Sequence, residues 1–358
     1  MPRTAELIEQ KKVQQLELLA EIASLYYEQD LTQDEIAEKF FISRSRVSRL
    51  LTLAKEKGVV TFTVHHTGER CYELEQMLKR KYHLKEAFVL NSNSFDYARV
   101  LQLMGFLGAQ YINSQLKKNQ IIGISWGKSI AATIEALQPA RNLNPEIVQI
   151  IGGTLVQKPV IDVAALTQKM IEKFNATGIY LHAPLYMDNV EACLTFKLQP
   201  AISFALNKAR NADMVITGVG EVCQETFDYM WSGFDNMKEL IMLQHKGAVG
   251  FMCAQAYNVE GEIVNAEFNN KIIGLTLEEL KKSKQVVAVS GGKRKGAAVL
   301  GAVRGGYIDV LVTDFQCVGE MVRLEKSTSS IRNMDIENLQ MNEKTLSSCK
   351  PTNPLKVD

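Results

Sequence analysis

Apolar residues recur at helical spacing in residues 32–64, and this pattern predicts two short helices joined by a tight turn. Thr32 followed three positions later by Glu35 forms a capping box, which predicts the start of the first helix. Ser43 is a favourable N-cap for the second helix, which we expect to end at Gly58 in a left-handed conformation. The next residues alternate apolar side chains with threonine, as a short half-buried strand does. With a further helix predicted upstream, these elements are typical of an all-α winged helix-turn-helix.

A second pattern begins near residue 86, where short apolar runs alternate with longer amphipathic segments. The runs VVAV and DVLVT are apolar almost throughout, which indicates strands buried on both faces. This alternation predicts an α/β domain with a mainly parallel sheet covered by helices. The predicted strands are residues 86–90, 120–125, 146–151, 178–186, 214–219, 246–254, 285–290 and 308–313. The predicted helices are residues 71–83, 96–116, 128–137, 162–174, 200–212 and 294–303.

Length and composition set the domain organisation. A chain of 358 residues suggests two or three domains, and 46% apolar residues suffice for folded cores. We predict a helix-turn-helix domain over residues 1–67, an α/β domain over 68–324 and a disordered tail over 325–358, where apolar periodicity fades. The sequence contains no apolar run of membrane-spanning length and no signal peptide, so we expect a cytoplasmic protein without a membrane partner.

The net charge is only +1, so any affinity for nucleic acid must be local. Residues 21–40 carry six acids against one base, whereas residues 41–58 carry five bases against one acid. A positive field on the second helix suits insertion into a groove of double-stranded DNA, although a helical hairpin with a solvated basic face is the alternative. We expect Ser45 and Arg46, with Arg44 or Ser48, to read base edges and Arg49 to contact phosphate. The predicted DNA contacts are Thr32, Gln33, Ser43, Arg44, Ser45, Arg46, Ser48 and Arg49.

Four predicted strand ends are rich in glycine and small polar residues, reading GISWGKS, IGGT, TGVGE and SGGKRKG. Open parallel sheets bind ligands at the carboxyl ends of their strands, and glycine lets backbone amides approach an anion. These loops therefore predict a site for a phosphorylated small molecule, while simple turns are the alternative. Only three residues separate the glycines in GISWGKS, which excludes a nucleotide-binding P-loop. The predicted effector-binding residues are Gly123, Ser125, Trp126, Gly127, Lys128, Ser129, Gly152, Gly153, Thr154, Gly218, Gly220, Glu221 and Lys295.

Within this set we expect different roles. Backbone amides at Lys128 and Ser129 should hold the phosphate at a helix start, helped by the Ser129 hydroxyl. Gly153 should close the pocket, Lys295 should add a positive charge and the Trp126 ring should pack against the sugar. An amine nucleophile at Lys128 is an alternative that requires a lowered pKa.

The six cysteines and five histidines are scattered, with no pair at zinc-binding spacing. No nucleophile elbow or other catalytic motif is present. We therefore expect reduced thiols, no metal, no cofactor and no catalytic residues.

The chain resembles the SorC family of bacterial sugar-responsive transcriptional regulators over roughly residues 15–320. The motifs that carry the resemblance are, in order, SLYYEQDLTQDEIAEKF, ISRSRVSRLL, GISWG, IIGGT, MVITGVG, GAVG and VSGGKRKGAAVLGAVRGGYIDVLVTD. The resemblance implies an effector domain related in fold to glucosamine-6-phosphate deaminase, ribose-phosphate isomerase and CoA-transferases. It also implies phosphorylated sugars as effectors and a homodimer or homotetramer as the working form.

The sequence departs from this family at Phe251, where an acidic residue commonly follows GAVG to bind sugar hydroxyls. An aromatic ring there favours a less hydroxylated ligand, or an altered or lost site. The predicted function is a transcriptional repressor of a carbohydrate-utilisation operon, controlled by a phosphorylated sugar. The alternative is a sugar-phosphate isomerase or deaminase with an accessory nucleic-acid-binding domain. Such an enzyme needs a carboxylate base, for which Glu221 is the remaining candidate.

Overall fold

The computed structural model describes residues 4–60, 69–93, 95–138, 143–154, 161–230 and 237–332. The chain forms two compact units, Met1–His65 and His66–Asp358. The first unit contains three helices, α1 (Thr4–Tyr27), α2 (Gln33–Phe40) and α3 (Arg44–Glu56). Their apolar faces form one core. Its buried residues include Leu19, Ile22, Leu25, Ile36, Val47, Leu51 and Ala54.

Local sequence signals fix the ends of α2 and α3. The predicted capping box is present, with the Thr32 amide donating to Glu35 Oε2 at 2.7 Å and the Glu35 amide donating to Thr32 Oγ1 at 3.3 Å. Ser43 occupies the N-cap position of α3, but its side chain makes no capping hydrogen bond and lies 3.1 Å from Ser45 Oγ. Gly58 has the expected positive φ of 72°. From residue 61 the strand predicted as a wing lies outside the described residues.

The second unit is built on a seven-stranded parallel sheet with the order β1-β10-β9-β5-β2-β3-β4. A separate antiparallel sheet has the order β6-β7-β8. The strands are β1 (Glu86–Leu90), β2 (Ile121–Ile124), β3 (Glu146–Gln149), β4 (Thr177–Ile179), β5 (Met214–Thr217), β6 (Gly220–Glu221), β7 (Ala248–Met252), β8 (Gln255–Asn258), β9 (Val286–Val289) and β10 (Val310–Asp314).

Helices flank this sheet, and none in the described part of the chain is long and apolar enough to cross a lipid bilayer. They are α4 (Tyr72–Tyr82), α5 (Tyr97–Gln115), α6 (Lys128–Ala136), α7 (Val163–Phe174), α8 (Val190–Lys197), α9 (Pro200–Arg210), α10 (Gln224–Met230), α11 (Met237–His245), α12 (Ala266–Asn270), α13 (Leu277–Lys281), α14 (Gly296–Arg304) and α15 (Phe315–Arg332).

Alternate residues of the central strands enter two different cores, because successive side chains of a strand point to opposite faces. In β9, Val287 and Val289 pack with α5, α6 and α7, whereas Val286 and Ala288 pack with α4, α14 and α15. Burial on both faces explains the continuous apolar runs in the sequence and confirms the predicted parallel sheet.

The antiparallel sheet was not predicted as a separate layer. The sequence predicted one strand over residues 246–254, but β7 instead pairs on one side with β6 and on the other with β8. The strand predicted over residues 178–186 is also shorter, since β4 ends at Ile179. The chain then continues as isolated bridges, one of which joins Gly153 to Pro184.

The disordered tail predicted from residue 325 is wrong for its first part, because α15 continues to Arg332. Glu325 anchors this helix by accepting from Lys81 Nζ, Tyr82 Oη and Arg304 Nη2 at 2.8–2.9 Å. These partners lie far from Glu325 in sequence, so the loss of apolar periodicity concealed them. Residues 333–358 lie outside the described part of the chain.

Candidate functional sites

The exposed face of α3 carries the predicted DNA contacts of the first unit. Val47 and Leu51 point into the core, and this places Ser45 and Arg49 on the opposite face, one turn apart. The Arg49 Nε donates to the Ser45 carbonyl at 3.4 Å, which holds the guanidinium along the helix. The helix therefore presents polar and basic groups outward while its apolar positions fix its orientation.

Three arginines of this surface differ in their surroundings. Arg44 Nε lies 3.8 Å from Asp34 on α2, and both side chains are exposed. The side chain of Arg46 makes no hydrogen bond or ion pair with the described residues. On α2, the Thr32 hydroxyl is occupied in the capping box, because it also donates to Glu35 Oε2 at 2.8 Å. Arg46 is thus the arginine most available to a partner, whereas Thr32 has a clear structural role.

In the second unit, the four glycine-rich loops follow four adjacent strands of the parallel sheet. GISWGKS follows β2, IGGT follows β3, TGVGE follows β5 and SGGKRKG follows β9. These strands are neighbours in the order β9-β5-β2-β3. Because parallel strands end at the same edge, the sheet brings all four predicted loops together.

Hydroxyl groups tie three of these loops, those after β2, β5 and β9, to one another. Ser125 Oγ donates to Thr217 Oγ1 at 2.9 Å, which joins the loops after β2 and β5. Ser290 Oγ donates to the Val219 carbonyl at 3.1 Å, which joins the loops after β9 and β5. Each of these serines is buried, so the loops form a fixed edge rather than independent turns.

Ser129 contributes to the same cross-linking. Its hydroxyl donates to the carbonyl of Val289 at 2.5 Å and is buried. This contact gives Ser129 a structural role that the sequence analysis missed, since the hydroxyl hydrogen is directed at β9. The first-turn amides of Lys128 and Ser129 have no partner within α6, because the first turn of a helix leaves its amides unpaired.

The predicted glycines serve close packing as well as loop formation. A methyl group on Gly152 would lie 2.4 Å from the Pro184 carbonyl oxygen, and one on Gly123 would lie 2.6 Å from Ile150 Cγ2. The amide of Gly152 donates to Ile273 O at 2.8 Å, and that of Gly153 donates to Ala183 O at 2.9 Å. These two amides are therefore engaged by backbone, which leaves the amides at the start of α6 as the better anion donors.

Two of the remaining predicted glycines, Gly127 and Gly218, lie next to the start of α6, and the third, Gly220, lies on β6. Gly127 adopts a φ of 121° directly before the helix, a conformation that favours glycine, and its amide donates to Ile161 O at 3.3 Å. A methyl group on Gly218 would lie 3.6 Å from both Ser129 Oγ and Trp126 O. Gly220 pairs with Phe251 between β6 and β7. Trp126 itself is partly buried and packs against the core.

Thr154, at the end of the IGGT loop, has a buried hydroxyl with no hydrogen-bond partner among the described residues. A buried polar atom without a partner costs free energy, so such an atom is a candidate for contact with a ligand.

Cations and carboxylates meet around the loops after β2, β5 and β9. Arg294 Nη2 lies 2.8 Å from Glu221 Oε1, and Arg294 Nη1 lies 3.7 Å from Glu225 Oε2. Glu225 also lies 3.6 Å from Lys128 Nζ. Sequence reasoning missed Arg294 and Glu225: Arg294 stands inside SGGKRKG beside the lysine that was selected, whereas Glu225 is brought close only by α10.

Lys295 is the second cation of the loop after β9. Burial lowers the pKa of its amine, and the nearby Lys128 acts in the same direction, while Cys317 and Glu221 oppose the shift. Its Nζ forms no ion pair or hydrogen bond with the described residues. An anion placed beside Lys295 would therefore gain a partly desolvated positive charge.

Phe251 packs into an aromatic cluster with Phe227 and Phe268, at centroid distances of 5.7 Å and 6.5 Å. It lies on β7, where it pairs with Gly220 of β6, and its side chain is buried. This position therefore supplies apolar packing and no hydrogen-bonding group. Among the described residues, no group of His, Cys, Asp and Glu side chains could hold a metal ion.

A basic helix-turn-helix unit joined to an α/β unit with an anion-suited sheet edge defines a class of protein, the ligand-responsive transcriptional regulators. A family model described as "Putative sugar-binding domain" matches residues 66–323, and one described as "Sigma-70, region 4" matches residues 19–57. The chain belongs to the SorC family of sugar-responsive transcriptional regulators.

Similar proteins of known name are regulators rather than enzymes. The chain is 33% identical to the deoxyribonucleoside regulator of Bacillus subtilis over 298 residues, covering 83% of this chain and 95% of that protein. It is 29% identical to the sorbitol operon regulator of Klebsiella pneumoniae, covering 84% of this chain and 95% of that protein. The crystal structure of the latter protein, full-length SorC, matches with a TM-score of 0.68 at 28% identity, covering 85% of this chain and 97% of that one.

A shorter structure shows the same relationship for the second unit. The sugar-binding domain of a transcriptional repressor from Vibrio fischeri matches with a TM-score of 0.65 at 25% identity, covering 71% of this chain and 99% of that one. The protein is therefore a transcriptional regulator with a sugar-binding domain, and the enzyme alternative is not favoured.

Proposed function

We propose that the protein is a repressor of a carbohydrate-utilisation operon, whose operator binding is controlled by a phosphorylated sugar. The observation that carries the proposal is the edge of the parallel sheet, where three cross-linked loops bring together Lys128, Arg294 and Lys295 with the start of α6. Three cations and free helix amides favour a ligand with concentrated negative charge, which a phosphoryl group has and an unmodified sugar lacks. Repression is supported by the Vibrio fischeri relative, which is named as a transcriptional repressor.

The phosphoryl group should bind at the first turn of α6, where the amides of Lys128 and Ser129 point outward. In the free protein Glu225 lies between Lys128 and Arg294 and acts as their counter-ion. An effector phosphate replaces this carboxylate, so Glu225 limits affinity and excludes weakly charged ligands.

The sugar part of the effector should carry few hydroxyl groups. Phe251 is buried in an aromatic cluster and offers no hydrogen-bonding group at the position where an acidic side chain would bind hydroxyls. The relative from Bacillus subtilis is named for deoxyribonucleosides, which contain a sugar with one hydroxyl fewer than ribose. We therefore propose a deoxypentose phosphate as the first ligand to test.

The test is a thermal-shift titration of the full chain with deoxyribose 5-phosphate, ribose 5-phosphate, deoxyribose and inorganic phosphate. A ligand that binds only the folded state stabilises it by about 2.7 kcal/mol at one hundred times its Kd. We expect the deoxypentose phosphate to raise the melting temperature most and the free sugar to have no effect. Binding by the free sugar and its phosphate alike would refute the role of the cations.

Lys295→Ala should remove most of this stabilisation, because it deletes the partly buried charge. Lys293→Ala is the matched control, since Lys293 lies in the same turn but is exposed. Equal losses in the two variants would show that the site responds to general charge and not to the predicted pocket.

For operator binding, we propose that Arg46 reads a base edge and Arg49 contacts phosphate, in a homodimer or homotetramer that reads a symmetric site in the cytoplasm. Arg46→Ala should cost about 1–3 kcal/mol and relax specificity at one base pair. Arg49→Ala should weaken all sequences alike and reduce the salt dependence. Competition selections from random duplexes, followed by anisotropy titrations, measure both effects. Unchanged binding by both variants would refute the recognition-helix assignment.

A further inference from the structure

The turn between α2 and α3 has a geometry that favours glycine but contains Phe41. The Phe41 amide donates to Glu38 O at 3.2 Å. The next amide, of Ile42, donates to Ala37 O at 3.0 Å. These two bonds form a Schellman motif, and Phe41 occupies its left-handed position with φ 53° and ψ 43°. Glycine is common there because a Cβ atom strains this conformation, so the phenylalanine carries a conformational cost.

The ring of Phe41 does not pack against the core of its own unit. It is 96% exposed, whereas the neighbouring Phe40 and Ile42 pack against the core. An exposed aromatic ring in a strained backbone conformation combines two unfavourable features at one position. Such combinations persist where the side chain serves binding rather than folding.

The surroundings of Phe41 indicate what covers the ring. It stands two residues before Ser43, the N-cap of α3, and the exposed Arg44 and Arg46 follow at once. In helix-turn-helix proteins the N-terminal residues of the second helix approach base edges in the major groove. The apolar group that this groove presents is the C5-methyl of thymine. A ring fixed beside the first turn of α3 and flanked by cations is therefore suited to the edge of a DNA duplex.

We propose that Phe41 is a DNA contact that packs against a thymine methyl at the edge of each half-site and so helps to set specificity. This inference rests on the proposed role of α3 as the recognition helix. It adds an apolar contact to a surface otherwise composed of arginine and serine.

The test uses duplexes selected from a random library by the full-length protein, with affinities measured by fluorescence anisotropy at fixed salt. Phe41→Gly should weaken binding by about tenfold, the loss of one good base contact. The same variant should slow amide hydrogen exchange in α2 and α3, because glycine relieves the left-handed strain. A gain in stability together with a loss in affinity separates a binding role from simple misfolding.

Two controls make the result specific. Asp30→Gly also replaces an exposed left-handed residue of the first unit, at φ 56°, but removes no ring. It should not weaken binding. Replacing thymine by deoxyuridine in the selected duplex removes the methyl group, so the natural protein and Phe41→Gly should then bind almost equally.

Arg46→Ala separates failure of this inference from failure of the proposed function. If Arg46→Ala weakens binding and Phe41→Gly does not, the Phe41 contact is refuted while α3 remains the recognition helix. If neither variant weakens binding, α3 does not read DNA and both proposals fall. A tenfold loss that is the same on thymine and deoxyuridine duplexes refutes the methyl contact. Loss of self-association by Phe41→Gly in sedimentation assigns the ring to a second copy of the chain and also refutes the inference.

Discussion

A buried ion pair between Arg70 and Glu75 stabilises the start of the second unit, next to α4. Glu75 of α4 is 2% exposed and accepts from Arg70 Nε at 2.8 Å, from Arg70 Nη2 at 2.6 Å and from the Val89 amide at 2.9 Å. The guanidinium lies between the rings of Tyr72 and Phe88, 4.8 Å and 4.7 Å from their centroids. The hydrogen bond to Glu75 raises the pKa of Arg70 further, so the guanidinium stays charged. Glu75→Gln is the informative change because it keeps the shape of the side chain.

The expected cost follows from what the amide retains. A glutamine oxygen in the place of Oε1 can still accept from the Val89 amide and from Arg70 Nε, but the NH2 group in the place of Oε2 cannot accept from Arg70 Nη2. Removing one partner of a buried pair costs about 3–5 kcal/mol. The Arg70 side chain is 28% exposed, so water recovers part of its solvation. We therefore expect the free energy of unfolding to fall by about 3 kcal/mol, at the lower end of that range.

Urea titration followed by tryptophan fluorescence measures this change selectively. Both tryptophans of the chain, Trp126 and Trp231, belong to the second unit. The matched control is Glu86→Gln, which breaks an ion pair between α4 and β1, where Lys79 Nζ lies 2.9 Å from Glu86 Oε2. That pair is more exposed, so its loss should cost less than about 1 kcal/mol. Equal costs for the two variants would refute the argument from burial.

Three further predictions concern the loops at the sheet edge, and each is measured by urea titration of the full chain. Gly152→Ala should destabilise the second unit by about 1–3 kcal/mol, because the new methyl group would lie 2.4 Å from the Pro184 carbonyl oxygen; an unchanged midpoint contradicts this packing. Ser125→Ala should cost about 1 kcal/mol, because it removes the buried hydrogen bond to Thr217; a gain in stability contradicts that role. Burial raises the pKa of the Asp314 carboxyl above its usual 3.8, so stability from this group is present below that value and is lost as the pH rises through the folded pKa. Asp314→Asn can keep the hydrogen bonds from Gly292 and Cys317, so it should gain stability relative to the natural protein as the pH rises through the folded pKa of Asp314. A parallel pH dependence of the two proteins refutes the raised pKa.

Much of the fold could be predicted because its signals are local. The pairing of Thr32 with Glu35 spans three residues, and Asp96 and Asp162 cap α5 and α7 through amides two or three residues away. The buried strands can also be predicted from the sequence, since burial on both faces requires uninterrupted apolar residues. The position of the four loops at strand ends follows from the same strands, whereas their order along the sheet edge was not predicted.

The parts that could not be predicted depend on contacts between distant residues. The amide of Gly153 is taken by the carbonyl of Ala183, thirty residues later, so a loop that looked free for an anion is partly closed. The aromatic neighbours of Phe251 could not be predicted from the sequence, because Phe227 lies on α10 and Phe268 on α12. The helical pattern of α8 was also missed, as three of its apolar side chains face different environments and Leu194 is 55% exposed.

The carboxylates at the same edge of the sheet are held in positions that suit a regulator rather than an enzyme. An isomerase or deaminase needs a carboxylate free to move a proton beside the bound sugar. Near the described loops, Glu221 is held by Arg294 at 2.8 Å, and Glu225 is the counter-ion of Lys128 and Arg294. Asp314 accepts the amides of Gly292 and Cys317 and thereby fixes the loop after β9. Each of these carboxylates thus positions a cation or a backbone turn, so the edge that we propose as an anion site holds them away from the role of a catalytic base.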